Sequence, residues 1–262
     1  MTAGTDVATA TSTMPALAVY SLQLGDDSLV LAQRLGGWAA RAPELEEDVA
    51  LLNIGLDLLG QARALLSRAA ELEGAGRDED ALAFERDERQ FLNCQLVEQE
   101  NGDFGQTIAR QLLFSAYQQE LYTALSRSTD PVLSAIACRA VKEVAYHRDH
   151  AVRWTLRLGD GTEESHRRVQ AGLDAVWPFA DELFESDESV RGLAESGAAV
   201  DPASFQPPWQ GFVGAVLEQA TLTVPPADWA PSGGRRGIHT EGFGYMLAEM
   251  QHLHRSHPGA RW

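Results

Sequence analysis

Apolar residues recur along most of the chain at alternating spacings of three and four, which is the period of an amphipathic α-helix. No stretch shows the convincing two-residue alternation that indicates a β-strand. The pattern predicts four long helices at about 16–40, 43–74, 104–126 and 131–158. Because short connections join such helices, they are expected to form an antiparallel four-helix bundle.

The same periodicity selects the residues that each long helix is expected to bury. On the first helix the stripe is Leu17, Tyr20, Leu24, Leu31, Leu35 and Trp38. On the second it is Leu45, Val49, Leu52, Leu56, Leu59 and Leu66. On the fourth it is Ile136, Ala140, Val144, His147, Ala151, Trp154 and Leu158.

Shorter elements surround this bundle. A helix is predicted at 81–97 between the second and third long helices, and further helices follow at about 165–185, 189–196, 208–223 and 240–256. The sequence therefore predicts an all-α chain, with one helical domain over 16–262 and extra helices at its C-terminal end. Residues 1–15, rich in Thr and Ala, are expected to be a disordered N-terminal segment.

Composition narrows the range of functions. The chain has 262 residues and a net charge of −17, which disfavours binding to nucleic acid or to an anionic membrane surface. No run of 18 apolar residues suggests a membrane-spanning helix. The two cysteines, Cys94 and Cys138, lie in apolar helical patterns without a C-x-x-C motif, as is typical of a reduced cytoplasmic protein.

A long helical bundle with polar residues on its inner stripes raises the hypothesis of a di-metal carboxylate site. Such a site takes one Glu from each of two helices and a Glu-x-x-His pair from each of the other two. The corresponding positions here carry mostly other residues: Asp27 or Ser28, Asp57 and Gly60, Gln119, and Val144 with His147. We therefore predict a degenerate site, with no catalytic residue, metal or other cofactor of its own.

Simpler roles explain the remaining polar residues of these helices. His147 is expected to be a core histidine that pairs with Asp57 or Tyr117 across the bundle, whereas Glu143 and His150 are expected to form a flanking solvated or interface pair. The alternative is an enzyme, a divergent di-metal oxygenase. Its ligands would be Asp27, Asp57, Glu120, Glu143 and His147.

Four segments in collinear order carry a family resemblance. They are "LGDDSLVLAQRLGGWAARAPELEEDVALLNIGLDLLGQAR" (24–63), "DERQFLNCQLVEQENGDFGQTIARQ" (87–111), "KEVAYH" (142–147) and "GGRRGIHTEGFGYMLAEMQHL" (233–253). The chain resembles the C subunits of ring-1,2-phenylacetyl-CoA epoxidases from about residue 16 to its C-terminal end. The longer polar N-terminus departs from the simplest family pattern.

The resemblance implies a ferritin-like fold and a place in the multicomponent di-iron monooxygenase of aerobic phenylacetate degradation. In that complex the A subunit binds the di-iron centre, a small B subunit bridges A–C heterodimers, and a reductase supplies electrons. The C subunit is expected to be a metal-free structural partner of A. The A subunit has its Glu-x-x-His pairs where this chain has Asp57–Gly60 and Val144–His147.

Interface candidates follow from this expectation of a partner. Arg235 and Arg236, in a Gly-rich segment, are expected to contact a partner from a surface loop, with phosphate binding as the weaker interpretation. Met246 and Met250 are expected to lie in the core or at a subunit interface. A homodimer, and a regulator that binds a CoA ester in the degenerate core, are further alternatives.

Overall fold

The computed structural model describes residues 14–226 and 229–260, and this part of the chain contains helices and no strands. The four long helices are α1 (Ala16–Gly36), α2 (Leu45–Glu73), α5 (Phe104–Leu125) and α6 (Pro131–Gly159). The shorter helices are α3 (Glu79–Phe84), α4 (Gln95–Glu98), α7 (Glu163–Val176), α8 (Glu188–Glu195), α9 (Gln206–Gln219) and α10 (Phe243–Ser256). The all-α fold is confirmed. The expected disorder of residues 1–15 lies mostly outside the described residues.

The bundle consists of two helical hairpins. Helices α1 and α2 pack along each other, as do α5 and α6, and α2 contacts α6 across the bundle. Helix α7 lies against α5, while α10 contacts α3 at the far side of the first hairpin. The predicted antiparallel four-helix bundle with additional C-terminal helices is therefore the observed architecture.

Helix termini follow local sequence signals. The Asp130 side chain accepts hydrogen bonds from the Val132 and Leu133 amides, and Pro131 occupies the first turn of α6. Gly74 adopts a left-handed conformation, with φ of 68°, at the end of α2. Helix α1 ends at Gly36, earlier than the predicted 40, and Trp38 beyond it donates from Nε1 to Thr107 Oγ1 at 3.0 Å.

The buried stripe predicted for α2 is wrong except for Leu66, which is 2% exposed. Its first five members, Leu45 to Leu59, are 37–75% exposed. The side chains that face the bundle belong instead to a second stripe with the same spacing: Leu51, Ile54, Leu58, Ala62 and Leu65. Both stripes satisfy the helical period, and packing against α1 and α6 decides which one is buried.

The single helix predicted at 81–97 is also wrong, because this segment consists of α3, a short 3-10 turn (Glu88–Gln90) and α4, separated by extended residues. Buried carboxylates bind the backbone of these extended residues. Asp26 Oδ2 accepts from the Leu92 amide at 2.8 Å, and Asp27 Oδ1 accepts from the Cys94 amide at 2.8 Å. These bonds replace the intrahelical bonds that a continuous helix would make.

Two glycines allow α5 and α7 to approach each other closely. A Cβ atom at Gly105 would lie 3.0 Å from the Val169 backbone nitrogen, and one at Gly172 would collide with the Gln106 backbone. We expect Gly172→Ala to lower the free energy of unfolding by about 1–3 kcal/mol, because the backbones must separate.

Gly192→Ala is the matched control, since nothing lies within 4 Å of a Cβ atom added there on α8. It should raise the free energy of unfolding by about 0.5–1 kcal/mol through helix propensity. Urea denaturation of both variants measures the difference. Equal effects at the two positions would contradict the proposed close contact.

Candidate functional site

The centre of the bundle is closely packed where a di-metal site would lie. Ser28 on α1 donates from Oγ to the Leu24 carbonyl at 3.1 Å, one turn earlier. Tyr122 on α5 is buried beside Ser28, and burial raises the pKa of its hydroxyl. Val144 on α6 is fully buried. These positions therefore present hydroxyl and aliphatic groups instead of carboxylates.

His147 forms one of the two interactions predicted for it. Its Nε2 lies 3.1 Å from Asp57 Oδ2, which joins α6 to α2, and its side chain is almost fully buried. Burial lowers the pKa of His147, although Asp57 acts in the opposite direction. The expected pairing of His147 is confirmed for Asp57, one of its two predicted partners.

Glu143 and His150 do not form the pair expected from the sequence. Glu143 accepts from Gln61 Nε2 at 3.0 Å and from Arg139 Nε at 2.8 Å. His150 is buried, and its Nε2 lies 2.8 Å from Glu47 Oε2 at the start of α2. Each residue thus links α6 to α2 separately, so the predicted single flanking pair is wrong.

The remaining positions of the degenerate site are dispersed. Gly60 leaves open space, with Arg139 the nearest group to an added Cβ atom at 3.8 Å. Gln119 donates to Thr123 Oγ1 at 3.2 Å on the same helix, and Glu120 beside it is half-buried.

The alternative set of metal ligands does not form a single site. Asp27 forms an ion pair with Arg235, and Asp57 pairs with His147. Glu143 accepts hydrogen bonds from Gln61 and Arg139. Within residues 14–226 and 229–260, no group of three or more His, Cys, Asp or Glu side chains is arranged to hold a metal ion. The five-residue oxygenase hypothesis therefore lacks a site in the described chain.

The Arg235 side chain is only 16% exposed and is bound to α1, which corrects the prediction that it contacts a partner from a surface loop. Its Nη1 and Nη2 donate to the two Asp27 carboxylate oxygens at 2.9 and 2.8 Å. Nη1 also approaches the carbonyl oxygens of Gln23 and Leu92 at 3.2 and 3.1 Å. Burial alone would lower the pKa of the Arg235 guanidinium. The negative charge of Asp27 has the larger effect, so the pKa is raised. Arg235 therefore joins the C-terminal segment to α1.

Three further buried carboxylates fix the irregular segments, and the sequence pattern did not predict them. Asp26 pairs with Arg86, and Glu182 accepts from the Gln95, Gly233 and Gly234 amides at 2.6–2.8 Å. Glu98 accepts from Asn93, Thr240 and His239, the last at 2.7 Å. Two adjacent acids, Asp26 and Asp27, inside an apolar helix were the one signal in the sequence, because buried charges require partners.

His239 and His147 are expected to affect stability at opposite ends of the pH range. The two ring nitrogens of His239 face Glu98 Oε2 and the Phe91 carbonyl, so both can donate only in the charged form. Burial alone would lower the pKa of His239, but Glu98 outweighs burial and raises it. Its stabilising contribution is therefore complete below the ordinary value of 6.5 and is lost as pH rises through the raised pKa.

The contribution of His147 to stability depends on pH in the opposite direction, because its lowered pKa means that the folded state favours the neutral ring. Its contribution is lost as pH falls below 6.5 towards that lowered pKa. We expect His239→Gln to reduce the pH dependence of unfolding on the alkaline side and His147→Gln to reduce it on the acid side. Urea midpoints between pH 5 and 9 test this, and identical pH profiles for the two variants would contradict it.

The exposed stripe of α2 forms one wall of an apolar groove on the outside of the first hairpin. Its lining includes three small residues, Ala32 and Gly36 on α1 and Gly55 on α2. The groove has a volume of about 440 Å³ and is lined by Leu29, Ala32, Gln33, Gly36, Leu52, Gly55, Leu56, Leu59, Phe84 and Met250. Contiguous exposed apolar side chains are typical of interaction surfaces. We call these residues, with Leu45 and Val49, the α2 groove.

The other interface candidates have separate positions. Met246 is 5% exposed and belongs to the core, whereas Met250 is partly buried and lines the α2 groove. The Arg236 side chain is 64% exposed, and its Nη1 lies 4.0 Å from Glu185 Oε2. Of the two arginines, Arg236 is thus accessible to a partner.

Helix α2 is also long and apolar enough to cross a membrane, by length and composition only. The sequence pattern predicted no such helix, because polar residues interrupt every apolar run. A core helix can meet the same criteria, and here one face of α2 lies against α1 and α6. The criterion is therefore weak evidence for membrane insertion.

Comparison with known proteins assigns the chain to a family. Residues 1–262 match the family described as phenylacetic acid catabolic protein. The chain is 52% identical over 249 residues to the Escherichia coli (strain K12) protein named as the C subunit of 1,2-phenylacetyl-CoA epoxidase. This match covers 95% of the chain and 100% of the relative. The chain therefore belongs to the phenylacetic acid catabolic protein family, whose ferritin-like helical fold it shares.

Proposed function

We propose that this chain is the non-catalytic C subunit of a 1,2-phenylacetyl-CoA epoxidase, which pairs with the iron-binding A subunit and supports it. Phenylacetyl-CoA is epoxidised on the A subunit, while a B subunit and a reductase complete the complex. The relative that is 52% identical over its full length supports this assignment. A catabolic role in the cytoplasm, with no cofactor bound to this chain, belongs to the same proposal.

The interior of the bundle supports the non-catalytic role. A di-metal site requires convergent carboxylates and imidazoles on four helices. Here Ser28 and Val144 occupy two of the positions, and His147 is bound to Asp57. A catalytic bundle must neutralise its central carboxylates with metal, whereas this core has aliphatic groups and paired charges in their place. It can therefore remain folded without metal.

The α2 groove is the observation that carries the proposed partnership. Leu45, Val49, Leu52, Leu56 and Leu59 follow one another at spacings of four and three, which is the pattern of a helix–helix seam. In the single chain they face outward. A partner helix lying along α2 would bury this stripe and insert side chains over Ala32, Gly36 and Gly55.

The charge of the chain favours a different protein over a second copy as this partner. Two copies would each bring a net charge of −17, and Glu44, Glu46 and Asp48 lie beside the N-terminal end of the stripe. A partner with an apolar helical face and basic residues at its rim would be complementary. We therefore assign the α2 groove to the A subunit and not to a homodimer.

Metal analysis of the purified chain and of its complex tests the non-catalytic role. The chain should contain no stoichiometric iron after expression with ample iron, while its complex with the A subunit should contain the iron of the A subunit alone. Two irons in each isolated chain would overturn the proposal. Binding to the A subunit is measured separately, so failure of the partnership is distinguishable from failure of the metal prediction.

A further inference from the structure

A second concave site lies away from the α2 groove and from the centre of the bundle. It opens between α1, α5 and the segment that leads into α8, with the Gly-rich segment at one side. The cavity has a volume of about 410 Å³, within the range of roughly 300–1,000 Å³ that is usual for small-molecule sites. Its lining includes Tyr20, Leu24, Tyr117, Ser186, Val200 and Arg235.

Arg235 lines this cavity, and some of its N–H groups have no acceptor within residues 14–226 and 229–260. A guanidinium has five N–H groups. In Arg235, one N–H of Nη1 and one N–H of Nη2 donate to the two carboxylate oxygens of Asp27. Nε donates to no group within residues 14–226 and 229–260, and Nη2 has one acceptor, Asp27 Oδ2, for its two N–H groups. Nε and the second Nη2 N–H form a further edge that can bind two oxygens of one carboxylate.

Three residues with hydroxyl groups, Tyr20, Tyr117 and Ser186, also line this cavity. The Ser186 Oγ and Tyr20 Oη atoms are buried and make no regular hydrogen bond within the described residues, although the Val200 amide lies near Tyr20. Burial raises the pKa of Tyr117, so its hydroxyl remains a proton donor. The rest of the lining contains the apolar residues Leu24, Leu183, Val190, Val200 and Pro202 and the polar residues Gln23, Glu185, Asp187 and Arg236. Together with the rings of Tyr20 and Tyr117, the apolar residues suit a compact apolar body.

The acidic groups of the lining have their own partners. Glu185 lies 4.0 Å from Arg236, and Asp187 accepts from the Val190 amide at 2.8 Å as the cap of α8. Arg236 adds a second positive charge near the mouth of the cavity. An anion that enters the cavity is therefore close to two arginines, while the two acidic side chains of the lining already have partners.

We propose that this cavity binds a small monocarboxylate with a compact aromatic or aliphatic body. The carboxylate would lie on the unused edge of Arg235, and the body would contact Tyr20, Leu24 and Tyr117. Ser186 would donate to a carboxylate oxygen. This proposal does not depend on binding to the A subunit or on the lack of iron in this chain, because every group that it uses lines this cavity.

Calorimetric titration of the full chain tests the site with sodium phenylacetate, sodium hexanoate and the neutral isostere phenylacetamide. We expect both carboxylates to bind and phenylacetamide to bind at least about tenfold more weakly, since a neutral amide cannot replace a carboxylate on the guanidinium. Equal binding of phenylacetate and phenylacetamide, or no binding of either carboxylate, would overturn the proposal.

Substitutions then locate the binding. Ser186→Phe should fill the cavity and weaken carboxylate binding at least about tenfold, because it removes the space that the ligand body needs. Ser204→Phe is the control at an exposed serine that does not line the cavity. Tyr20→Phe keeps the shape and removes one hydroxyl, for an expected loss of about fivefold. Undiminished binding in a folded Ser186→Phe chain would refute the assignment.

Discussion

Replacing Arg235 with glutamate is expected to prevent stable folding of the isolated chain, whereas Arg236→Glu should leave the fold intact. The first change places a second carboxylate against buried Asp27, and the second changes a side chain that is 64% exposed. Removing one partner of a buried ion pair costs about 3–5 kcal/mol, a large share of the roughly 5–15 kcal/mol that stabilises a typical domain. Expression yield, circular dichroism and urea denaturation measure the difference.

A compensating double variant separates the loss of the ion pair from the loss of packing. Asp27→Leu combined with Arg235→Met removes both charges, and such replacements of buried pairs are often neutral or stabilising. We expect the double variant to recover much of the stability that Arg235→Met loses alone. An Arg235→Glu chain as stable as the Arg236→Glu chain would show that Arg235 is not part of the core.

The second large effect concerns the α2 groove. Leu56→Glu is expected to leave the isolated chain folded and to weaken its binding to the A subunit by about 30-fold or more, the effect of losing an interface anchor worth about 2 kcal/mol. Leu56 is 64% exposed in the single chain, so glutamate there remains solvated. In the complex it would bring an unpaired charge into an apolar seam.

Leu58→Glu is the matched control, two residues away and fully buried in the bundle. It should unfold the chain, because its charge points into the core. The two variants together distinguish the outer stripe of α2 from the inner one. A Leu56→Glu chain that binds the A subunit as tightly as the parent chain would place the interface elsewhere.

Helix α2 shows which features sequence periodicity predicts and which it does not. It predicted the helix and its ends closely, because Pro43, the acidic first turn and Gly74 are local signals. It did not predict the buried face, because Leu52, Leu56 and Leu59 share their period with Leu51, Ile54 and Leu58. Only the contacts with α1 and α6, which come from distant parts of the chain, distinguish these two faces.

The Gly-rich segment shows a second limit. Arg235 and Arg236 are adjacent and chemically identical, yet the side chain of Arg235 is 16% exposed and that of Arg236 is 64% exposed. The acceptor of Arg235 is 208 residues away, on α1. Nothing near residue 235 indicates this pairing, and two adjacent acids inside an apolar helix, Asp26 and Asp27, indicate only that buried carboxylates need partners.

One contact among the positions of the degenerate site was predictable from helical spacing, even though the buried face of α2 was predicted wrongly. Asp57 and His147 lie on facing stripes and do form the predicted contact. The partners of Glu143 and His150 were missed, since Gln61 and Glu47 lie on α2, whose orientation was predicted wrongly. An error in one helix thus propagated to the contacts of its neighbour.

The proposed role of this chain is to support a catalytic partner without taking part in the chemistry. Turnover of phenylacetyl-CoA by the reconstituted complex tests it most directly, using the chain with Asp57→Asn and Glu143→Gln. These changes keep the size of both side chains and remove two of the carboxylates that a metal would need. We predict unchanged turnover per assembled complex, whereas Leu56→Glu should lower turnover in proportion to lost assembly. Abolished turnover in a fully assembled Asp57→Asn/Glu143→Gln complex would contradict the non-catalytic role.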